Sequence, residues 1–418
     1  MRQRIVWAAL ASSLVALALA LSAVAAHPAA PSVRASTWNV VTSLPQGLYG
    51  AAGASNGTFA YAAGGYASAT GTTLDTFYRY NPVNERWETF ITPMPAPEAM
   101  ASAVYYPTTN KVYVFGGIDP NTGVVSNATK VLDITANEWS TAANLPAPRH
   151  SMAAGYNEAN GRIYLAGGFN TADPSSAQIT TWEYNPATNT FTPRADLPHA
   201  VGSAASGVVA GHLYVAGGHD TSGVVDLTWD YSIAANMWTA KASMPTPTNA
   251  PGSAAASGKL WSFGGETPTT PTAGTLSYDP ATNSWASAPN MNVARSAVSG
   301  AAIGNRLVAA GGKTGATPTA TTEILDAGTA SCAEPTTTYS EAFDGVTPPA
   351  LPAGWTATNA VGPPPLWETS HTGQPTPPFD TAPNAAFVDN PQVVSDKRLD
   401  SPSIAITSSA AQLSFRNN

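Results

Sequence analysis

Short apolar runs that end in a pair of glycines recur along this chain. They occur six times, at intervals of 47 to 52 residues, and five of the six begin with a lysine, an arginine or a histidine. Runs of this length that stop at glycine are typical of buried strands and are too short for helices. The glycine pairs are Gly64-Gly65, Gly116-Gly117, Gly167-Gly168, Gly217-Gly218, Gly264-Gly265 and Gly311-Gly312.

Each period predicts three further strands. An aromatic residue follows each of the first five glycine pairs by 20 to 23 residues, and it comes shortly after a turn such as residues 185–189 or 279–283. Proline fixes the first turn angle and asparagine tolerates the left-handed one, so these turns predict hairpins. A Met-Pro or Leu-Pro step and a strand of small residues complete the period. The aromatic residues are Trp87, Trp139, Phe191, Trp238 and Trp285.

Four short strands in each of six periods resemble the kelch repeat, and six copies resemble a six-bladed β-propeller. The resemblance covers residues 36–330 and implies an all-β domain. In this family the paired glycines let a neighbouring strand and the aromatic residue approach the backbone where a Cβ atom would clash.

The sixth period has its glycine pair and a third strand near residues 321–325, but no closing tryptophan. Trp38 lies 27 residues before Gly65, the same distance that separates Trp238 from Gly265. We therefore predict that residues 36–40 form the outer strand of the last blade, so that the two ends of the domain close the ring.

The N-terminus carries the pattern of an export signal. Arg2 and Arg4 precede an apolar run from Ile5 to Ala26, and Ala23-Val24-Ala25 provides the small residues that signal peptidase requires. We predict a cleaved signal peptide over residues 1–26 and a mature protein without a membrane span, secreted, periplasmic or on the cell surface. An uncleaved anchor is the alternative.

The composition changes after residue 330. Residues 331–338 are predicted as a linker, and residues 339–418 as a partial β-sandwich that is truncated at its end. Residues 339–344 and 351–355 resemble the opening of a secreted bacterial jelly-roll module associated with surface anchoring. The expected strands are residues 339–343, 366–369, 385–388, 403–406 and 413–415.

Charge and cysteine content exclude several classes of protein. Charged residues are 11% of the chain and the formal net charge is −8, which is unsuited to a nucleic-acid binder. The single cysteine, Cys332 in the predicted linker, excludes an intrachain disulfide and a multi-cysteine metal cluster.

Antiparallel order within a blade predicts which residues share one mouth around the central axis. These are the residues just after each glycine pair and those just before each inner strand. They would suit a small polar ligand, a sugar or a peptide loop, although each could equally be a solvated turn residue. The first set is Tyr66, Ile118, Phe169, His219, Glu266 and Lys313, and the second is Tyr49, Glu98, Arg149, His150, His199, Thr248 and Arg295.

No metal or other cofactor is predicted. His150, His199 and His219 come from adjacent blades, but no second metal-binding signature accompanies them. Residues 119–123 resemble half of a calcium loop and lack the closing acid, so a surface turn is the expected structure. Arg149 and Arg295 share one repeat position and could form either a carboxylate clamp or structural pairs.

Three functions are compatible with these observations. The first is a secreted or surface protein that binds a protein or glycan partner through the mouth. The second is a sugar-active enzyme similar to the six-bladed sialic acid mutarotases, which would use Glu98 or Glu266 with one of the two arginines. The third is a copper radical oxidase of the galactose oxidase kind, which needs seven blades and a tyrosine–cysteine cross-link. The first is preferred, because no catalytic signature is present.

Overall fold

The computed structural model describes residues 37–67, 70–89 and 92–328, together with residue 353 and the strand residues 356–361, 368–370, 385–387 and 396–400. The chain divides into two compact units, residues 1–330 and residues 331–418. Within the described residues, no helix is long and apolar enough to cross a membrane. The predicted signal peptide and linker, with Cys332, lie outside the described residues.

Strands account for nearly all the regular structure of the first unit. Up to residue 142 they are β1 (Asn39–Val41), β2 (Ala52–Ser55), β3 (Ala60–Ala63), β4 (Tyr66–Ala67), β5 (Thr72–Thr73), β6 (Phe77–Asn81), β7 (Arg86–Thr89), β8 (Ser102–Tyr106), β9 (Lys111–Asp119), β10 (Val124–Asp133) and β11 (Glu138–Ala142). From there to residue 241 they are β12 (Ala153–Asn157), β13 (Arg162–Ala166), β14 (Thr181–Asn185), β15 (Thr190–Arg194), β16 (Ala205–Val209), β17 (His212–Ala216), β18 (His219–Asp220), β19 (Gly223–Val224), β20 (Thr228–Ser232) and β21 (Met237–Lys241). The rest are β22 (Gly252–Ala256), β23 (Lys259–Phe263), β24 (Thr275–Asp279), β25 (Ser284–Ala288), β26 (Ser299–Ile303), β27 (Arg306–Ala310), β28 (Lys313–Thr314), β29 (Thr317–Pro318) and β30 (Thr322–Asp326). The described residues of this unit also form two one-turn 3₁₀ helices, Pro107–Thr109 and Pro174–Ser176.

The strands form six four-stranded antiparallel sheets, which are the blades of a β-propeller. Blades 1 to 5 are β2-β3-β6-β7, β8-β9-β10-β11, β12-β13-β14-β15, β16-β17-β20-β21 and β22-β23-β24-β25, and blade 6 is β26-β27-β30-β1. The inner strands contact one another in sequence, and the first inner strand, β2, contacts the last, β26. The predicted all-β propeller with six blades is therefore confirmed.

Each glycine pair allows one blade to approach the next. A Cβ atom on Gly116 would lie 2.1 Å from the carbonyl oxygen of Arg149 in the next blade, and at the other five pairs the same contact would be 2.1 to 2.7 Å. The N–H of the second glycine donates to that same oxygen, over 2.9 Å from Gly117. No side chain fits this position, because the neighbouring carbonyl already occupies the space.

The repeated tryptophans connect neighbouring blades along their outer parts. The Trp238 and Trp285 indoles donate to the carbonyl oxygens of Ala195 and Ala242, at 2.9 and 3.0 Å. Phe191 occupies the same position in blade 3 and lies against Tyr184, with ring centroids 4.7 Å apart. A buried indole combines apolar contact with one donor, and here the donor is used between blades.

The first described strand, β1, is the outer strand of blade 6. Asn39 is paired with Ile324 and Val41 with Thr322. The observed strand begins three residues after the predicted start and extends one residue beyond the predicted end. Trp38 precedes it, 4% exposed, and its indole donates to Thr275 Oγ1 over 3.0 Å, so that it contacts blade 5.

The propeller has two faces with different loops. The mouth face carries the loops from second to third strands and the segments that enter each inner strand. The opposite face carries the turns from first to second and from third to fourth strands. The basic residue or histidine that opens five of the apolar runs lies toward the opposite face, where an acid of the third strand pairs with it. These pairs are Lys111–Asp133, Arg162–Glu183, His212–Asp230, Lys259–Asp279 and Arg306–Asp326, at 2.6 to 3.6 Å.

The second unit contains two small antiparallel sheets in its described residues. β31 (Thr356–Val361) pairs with β34 (Asp396–Asp400), and β32 (Glu368–Ser370) pairs with β33 (Ala385–Phe387). β32 and β33 overlap two of the predicted strands. The other three predicted strands, residues 339–343, 403–406 and 413–415, lie outside the described residues, so the jelly-roll module stays a prediction.

Candidate functional site

A closed ring of backbone hydrogen bonds surrounds the axis at the mouth face. One residue of each blade contributes, in the segment that enters the inner strand. Its N–H donates to the carbonyl oxygen of the equivalent residue in the preceding blade, over 2.6 to 3.0 Å. All six residues have left-handed backbones, with φ between 48° and 65°. The ring consists of Gly50, Met100, Ser151, Ser203, Ala250 and Ala297.

The residue just before each ring position pairs with the residue that follows a glycine pair. These antiparallel bridges contain all six residues of the first predicted set, but only Tyr49 and His150 of the second set. The six bridges are Tyr49–Tyr66, Ala99–Ile118, His150–Phe169, Gly202–His219, Asn249–Glu266 and Ser296–Lys313.

The bridges surround an axial cavity of about 370 Å³. Among the predicted residues, His150, Phe169, His219, Glu266 and Lys313 line this cavity. A second cavity of about 360 Å³ shares residues with it and continues along the axis between small side chains of the inner strands. The lining also includes residues that the sequence analysis did not name: Met100, Ala172, Pro174, Ser203, Asn249 and Ser296. Asn249 and Ser296 could have been found, because they occupy the same repeat position as Tyr49 and His150.

Three charged side chains expected at the mouth are instead buried within their own blades. The ammonium of Lys130 lies 2.6 Å from Glu98 Oε1, and both side chains are less than a tenth exposed. Arg295 is 0% exposed and forms an ion pair with Glu323, which is also 0% exposed. Burial lowers the pKa of the Arg295 guanidinium, and the contact with Glu323 opposes that shift. These side chains form ion pairs inside single blades and do not line the cavity.

Arg149 is the third buried residue. Its guanidinium donates to Thr180 Oγ1 over 3.1 Å and lies over the Trp182 ring, 5.1 Å from the centroid. Burial lowers its pKa. The carboxylate clamp that the sialic acid mutarotase resemblance requires is therefore not formed, because Arg149 and Arg295 are bound inside separate blades.

Aromatic side chains line the edge of the mouth in blade 1. The rings of Tyr49 and Tyr66 meet edge to face with centroids 5.5 Å apart. The Lys313 ammonium lies 5.0 Å from the centroid of Tyr49. Burial raises the pKa of Tyr49, with a smaller contribution from Tyr66. The hydroxyl of Tyr66 donates to Asn121 Oδ1 over 2.9 Å.

Of the three predicted histidines, His150 and His219 line the axial cavity and His199 does not. His150 is buried against Phe169, and its Nε2 lies 2.9 Å from the carbonyl oxygen of Thr171. Burial lowers the pKa of His150, and the Thr171 contact opposes that shift. His199 Nε2 lies 2.7 Å from Asp220 Oδ2. Across the described part of the chain, no group of three His, Cys, Asp or Glu side chains is placed to hold a metal ion.

Two other predicted positions have structural partners. Thr248 is buried, and its hydroxyl donates to the carbonyl oxygen of Thr246 over 2.9 Å. In the loop of residues 119–123, Asp119 accepts the Thr73 hydroxyl over 2.6 Å and the Asn121 N–H over 3.1 Å. These hydrogen bonds lower the pKa of Asp119 and tie the loops of blades 1 and 2 together.

Polar side chains line the cavity on the side of blades 4 to 6. They include the Glu266 carboxylate, the Asn249 amide and the Ser296 hydroxyl. Within the described residues the Glu266 carboxylate has no ion pair, although Lys313 lines the same cavity. This wall of the cavity is therefore suited to a polar ligand.

A model of a known protein family matches this chain. The KLHDC2/KLHL20/DRC7 Kelch-repeats domain matches residues 50–251 and 108–312. Mouse Kelch-like protein 35 is 29% identical over 150 residues, which is 36% of this chain and 24% of that protein. Beta-scruin of Limulus polyphemus is 30% identical over 148 residues, or 34% of this chain and 15% of that protein. Kelch-like protein terF of Aspergillus terreus is 29% identical over 155 residues, or 35% and 33%. The chain thus spans a third or less of the length of these relatives.

Proposed function

Because this chain belongs to the Kelch-repeat family, we propose that it binds a partner protein through the mouth face of its propeller. Repeat propellers use loops on one face as extended binding surfaces, and the proteins matched here share that repeat. The observation that carries the proposal is the axial cavity, which Met100 and Phe169 line with apolar surface and Glu266 lines with a carboxylate that has no ion pair within the described residues.

Neither enzyme alternative has comparable support. The mutarotase alternative needs an arginine near an acid at the mouth, and the two arginines are buried in their blades. The copper oxidase alternative needs seven blades, and this propeller has six. A glycan partner is the second candidate for the binding function, because Tyr49 and Tyr66 present adjacent aromatic rings at the mouth.

A peptide-display selection on the purified full chain tests the proposal. The selection is repeated on a mouth variant, Phe169→Ala/Asn249→Ala, and on an opposite-face variant, Lys259→Ala/Arg306→Ala. We expect the wild-type chain and the opposite-face variant to enrich the same peptides and the mouth variant to lose them. Circular dichroism checks that all three proteins are folded.

Two results contradict the proposal. Peptides retained by the mouth variant would place binding elsewhere. A chain that selects no peptide but binds members of a glycan array, with binding lost in the mouth variant, would replace the protein partner by a glycan.

We also propose that the protein acts outside the cytosol, as a secreted or cell-surface protein whose C-terminal unit is a jelly-roll module. The support is the charged and apolar pattern of residues 1–26 and the resemblance of residues 339–355. Intact-mass measurement of the exported protein tests the first part, with a mature chain that begins at His27 as the expected result. A mass that retains residues 1–26 would overturn it.

A further inference from the structure

Charge is distributed unevenly between the two faces of the propeller. In the described loops of the mouth face, Lys313 is the one lysine or arginine that is not buried. Carboxylates are frequent in the same loops, whereas the opposite face matches acids with bases in repeated pairs. The carboxylates of the mouth loops outside the Glu98–Lys130 pair are Asp75, Asp119, Asp173, Asp196, Asp220, Asp226 and Glu266.

Glu266 is the carboxylate that lines the axial cavity. It lies in blade 5, paired through its backbone with Asn249, whose Oδ1 is also without a partner. His219 of blade 4 lines the same wall. Glu266 is the one carboxylate among the residues that line the cavity, so this wall provides a negative charge without an ion pair.

The one lysine among the residues that line the cavity does not neutralise this carboxylate. The Lys313 ammonium lies over the Tyr49 ring and forms no ion pair with Glu266. The cavity also offers apolar surface for an aliphatic stem, from Met100 and from Phe169. A long side chain with a charged end buries its stem on such a surface and keeps its head on polar groups.

We propose that the axial cavity receives a lysine or arginine side chain of the partner protein, with its cationic end on Glu266. The Asn249 and Ser296 side chains line the same wall, and Phe169 and Met100 contact the stem. The proposal rests on the function proposed above and names the chemistry that the mouth recognises. The acidic loops around the cavity attract a basic segment of the partner at long range.

The display selection on the full chain separates the two proposals. We expect peptides selected by the wild-type chain to be enriched in lysine or arginine at one fixed position. Synthetic peptides from the selection are then compared with copies in which that residue is norleucine or glutamate. A charge-assisted hydrogen bond predicts at least about tenfold weaker binding of either copy.

Variants of the chain identify the acid responsible. Glu266→Gln should weaken the cationic peptides about tenfold and leave the norleucine copies unchanged, while Lys313→Met should strengthen the cationic peptides by removing a like charge. Asp279→Asn on the opposite face is the matched control and should change neither. Enrichment of acidic or apolar peptides, or equal binding by Glu266→Gln, would overturn the cationic ligand and leave a protein-binding mouth in place. Selection of no peptide would overturn both proposals.

Discussion

The two faces of this propeller share one backbone repeat and use their polar side chains differently. On the opposite face, the base at the start of the second strand meets an acid of the third strand in five blades. On the mouth face, the equivalent loops carry a different residue in each blade. Within the described residues, the Glu266 carboxylate has no ion pair, and Asn249 Oδ1 and His219 Nδ1 have no hydrogen bond.

We interpret this difference as a division between positions that stabilise the fold and positions that are available to bind a ligand. Repeated pairs that satisfy one another stabilise a blade in the same way wherever they occur. Polar groups left without partners cost stability and are kept where a ligand supplies the missing contact. Buried ion pairs such as Arg295–Glu323 lie inside the blades, so the variable surface of the mouth is supported by a well-packed interior.

The largest predicted effect is the difference in stability between a variant that loses a buried ion pair and one that loses a partly exposed ion pair. Arg295→Met leaves the Glu323 carboxylate buried without its guanidinium, which should lower the free energy of unfolding by about 3–5 kcal/mol. Arg306→Met in the same blade removes a pair that is about a third exposed and should cost less than about 1 kcal/mol. Urea denaturation measures both, and Arg295→Met/Glu323→Gln should recover part of the loss. Equal losses for the two single variants would contradict this division.

The second predicted effect concerns β1, the outer strand of blade 6. Trp38→Ala removes a buried indole between blades 5 and 6 and should cost about 3 kcal/mol or more. Val40→Ala, two residues away and 58% exposed, is the control and should have little effect. The melting temperatures of the two variants test this, and coincident melting curves would show that β1 does not close the ring.

The third effect compares a glycine at each face. Gly116 and Gly57 both have positive φ, at 58° and 84°, so alanine is strained at either position. At Gly116 its Cβ would also lie 2.1 Å from the Arg149 carbonyl oxygen, whereas nothing lies within 4 Å at Gly57. We expect Gly57→Ala to cost about 1 kcal/mol and Gly116→Ala about 2 kcal/mol more, measured by chemical denaturation. The same cost at both sites would mean that the blades can separate without penalty.

The smallest predicted effect is the pH dependence of the stability that Asp220 contributes. Burial would raise the pKa of Asp220, but hydrogen bonds from Ser222, His199 and Gly223 outweigh it and lower that pKa to about 2. The contribution of Asp220 to stability is therefore present above pH 4 and is lost as the pH falls toward 2. Asp220→Asn should cost about 2 kcal/mol at pH 6 and much less near pH 2.

Thermal unfolding across that pH range measures the difference between Asp220→Asn and the wild-type chain. Asp279→Asn on the opposite face should give a smaller difference at pH 6, because the Asp279 side chain is 30% exposed. A constant difference for Asp220→Asn from pH 6 to pH 2 would show that its hydrogen bonds do not favour the ionised form.

The blades could be predicted from the sequence because the packing demands a fixed residue type. Only glycine fits where a carbonyl oxygen lies 2.1 Å from the Cβ position, as at Gly64 and Gly116. The glycine pairs therefore recur in the sequence at a regular interval. The six-residue ring was not predicted. Its members share a left-handed backbone, yet Gly50 is the one glycine among them, and no side-chain pattern marks the others.

The candidate site was predicted in part. Neighbouring residues in an extended segment point in opposite directions, so Arg149 lies inside its blade while His150 lines the cavity. The segment is too short for a two-residue alternation to show which residue faces which side. The acids that pair with Lys111 and Lys259 were missed for another reason: they lie more than fifteen residues away, and only the strand register brings them together.

The hydrogen-bonded ring at the mouth has an electrostatic consequence. At a helix N-terminus, aligned peptide dipoles add up and present free N–H groups to an anion. Here the six N–H groups from Gly50 to Ala297 follow one another around a circle, and each is taken by the next carbonyl. The dipoles circulate and cancel, so the backbone rim projects little field along the channel and offers no vacant donor. Discrimination between ligands of opposite charge at this opening is left to the side chains alone.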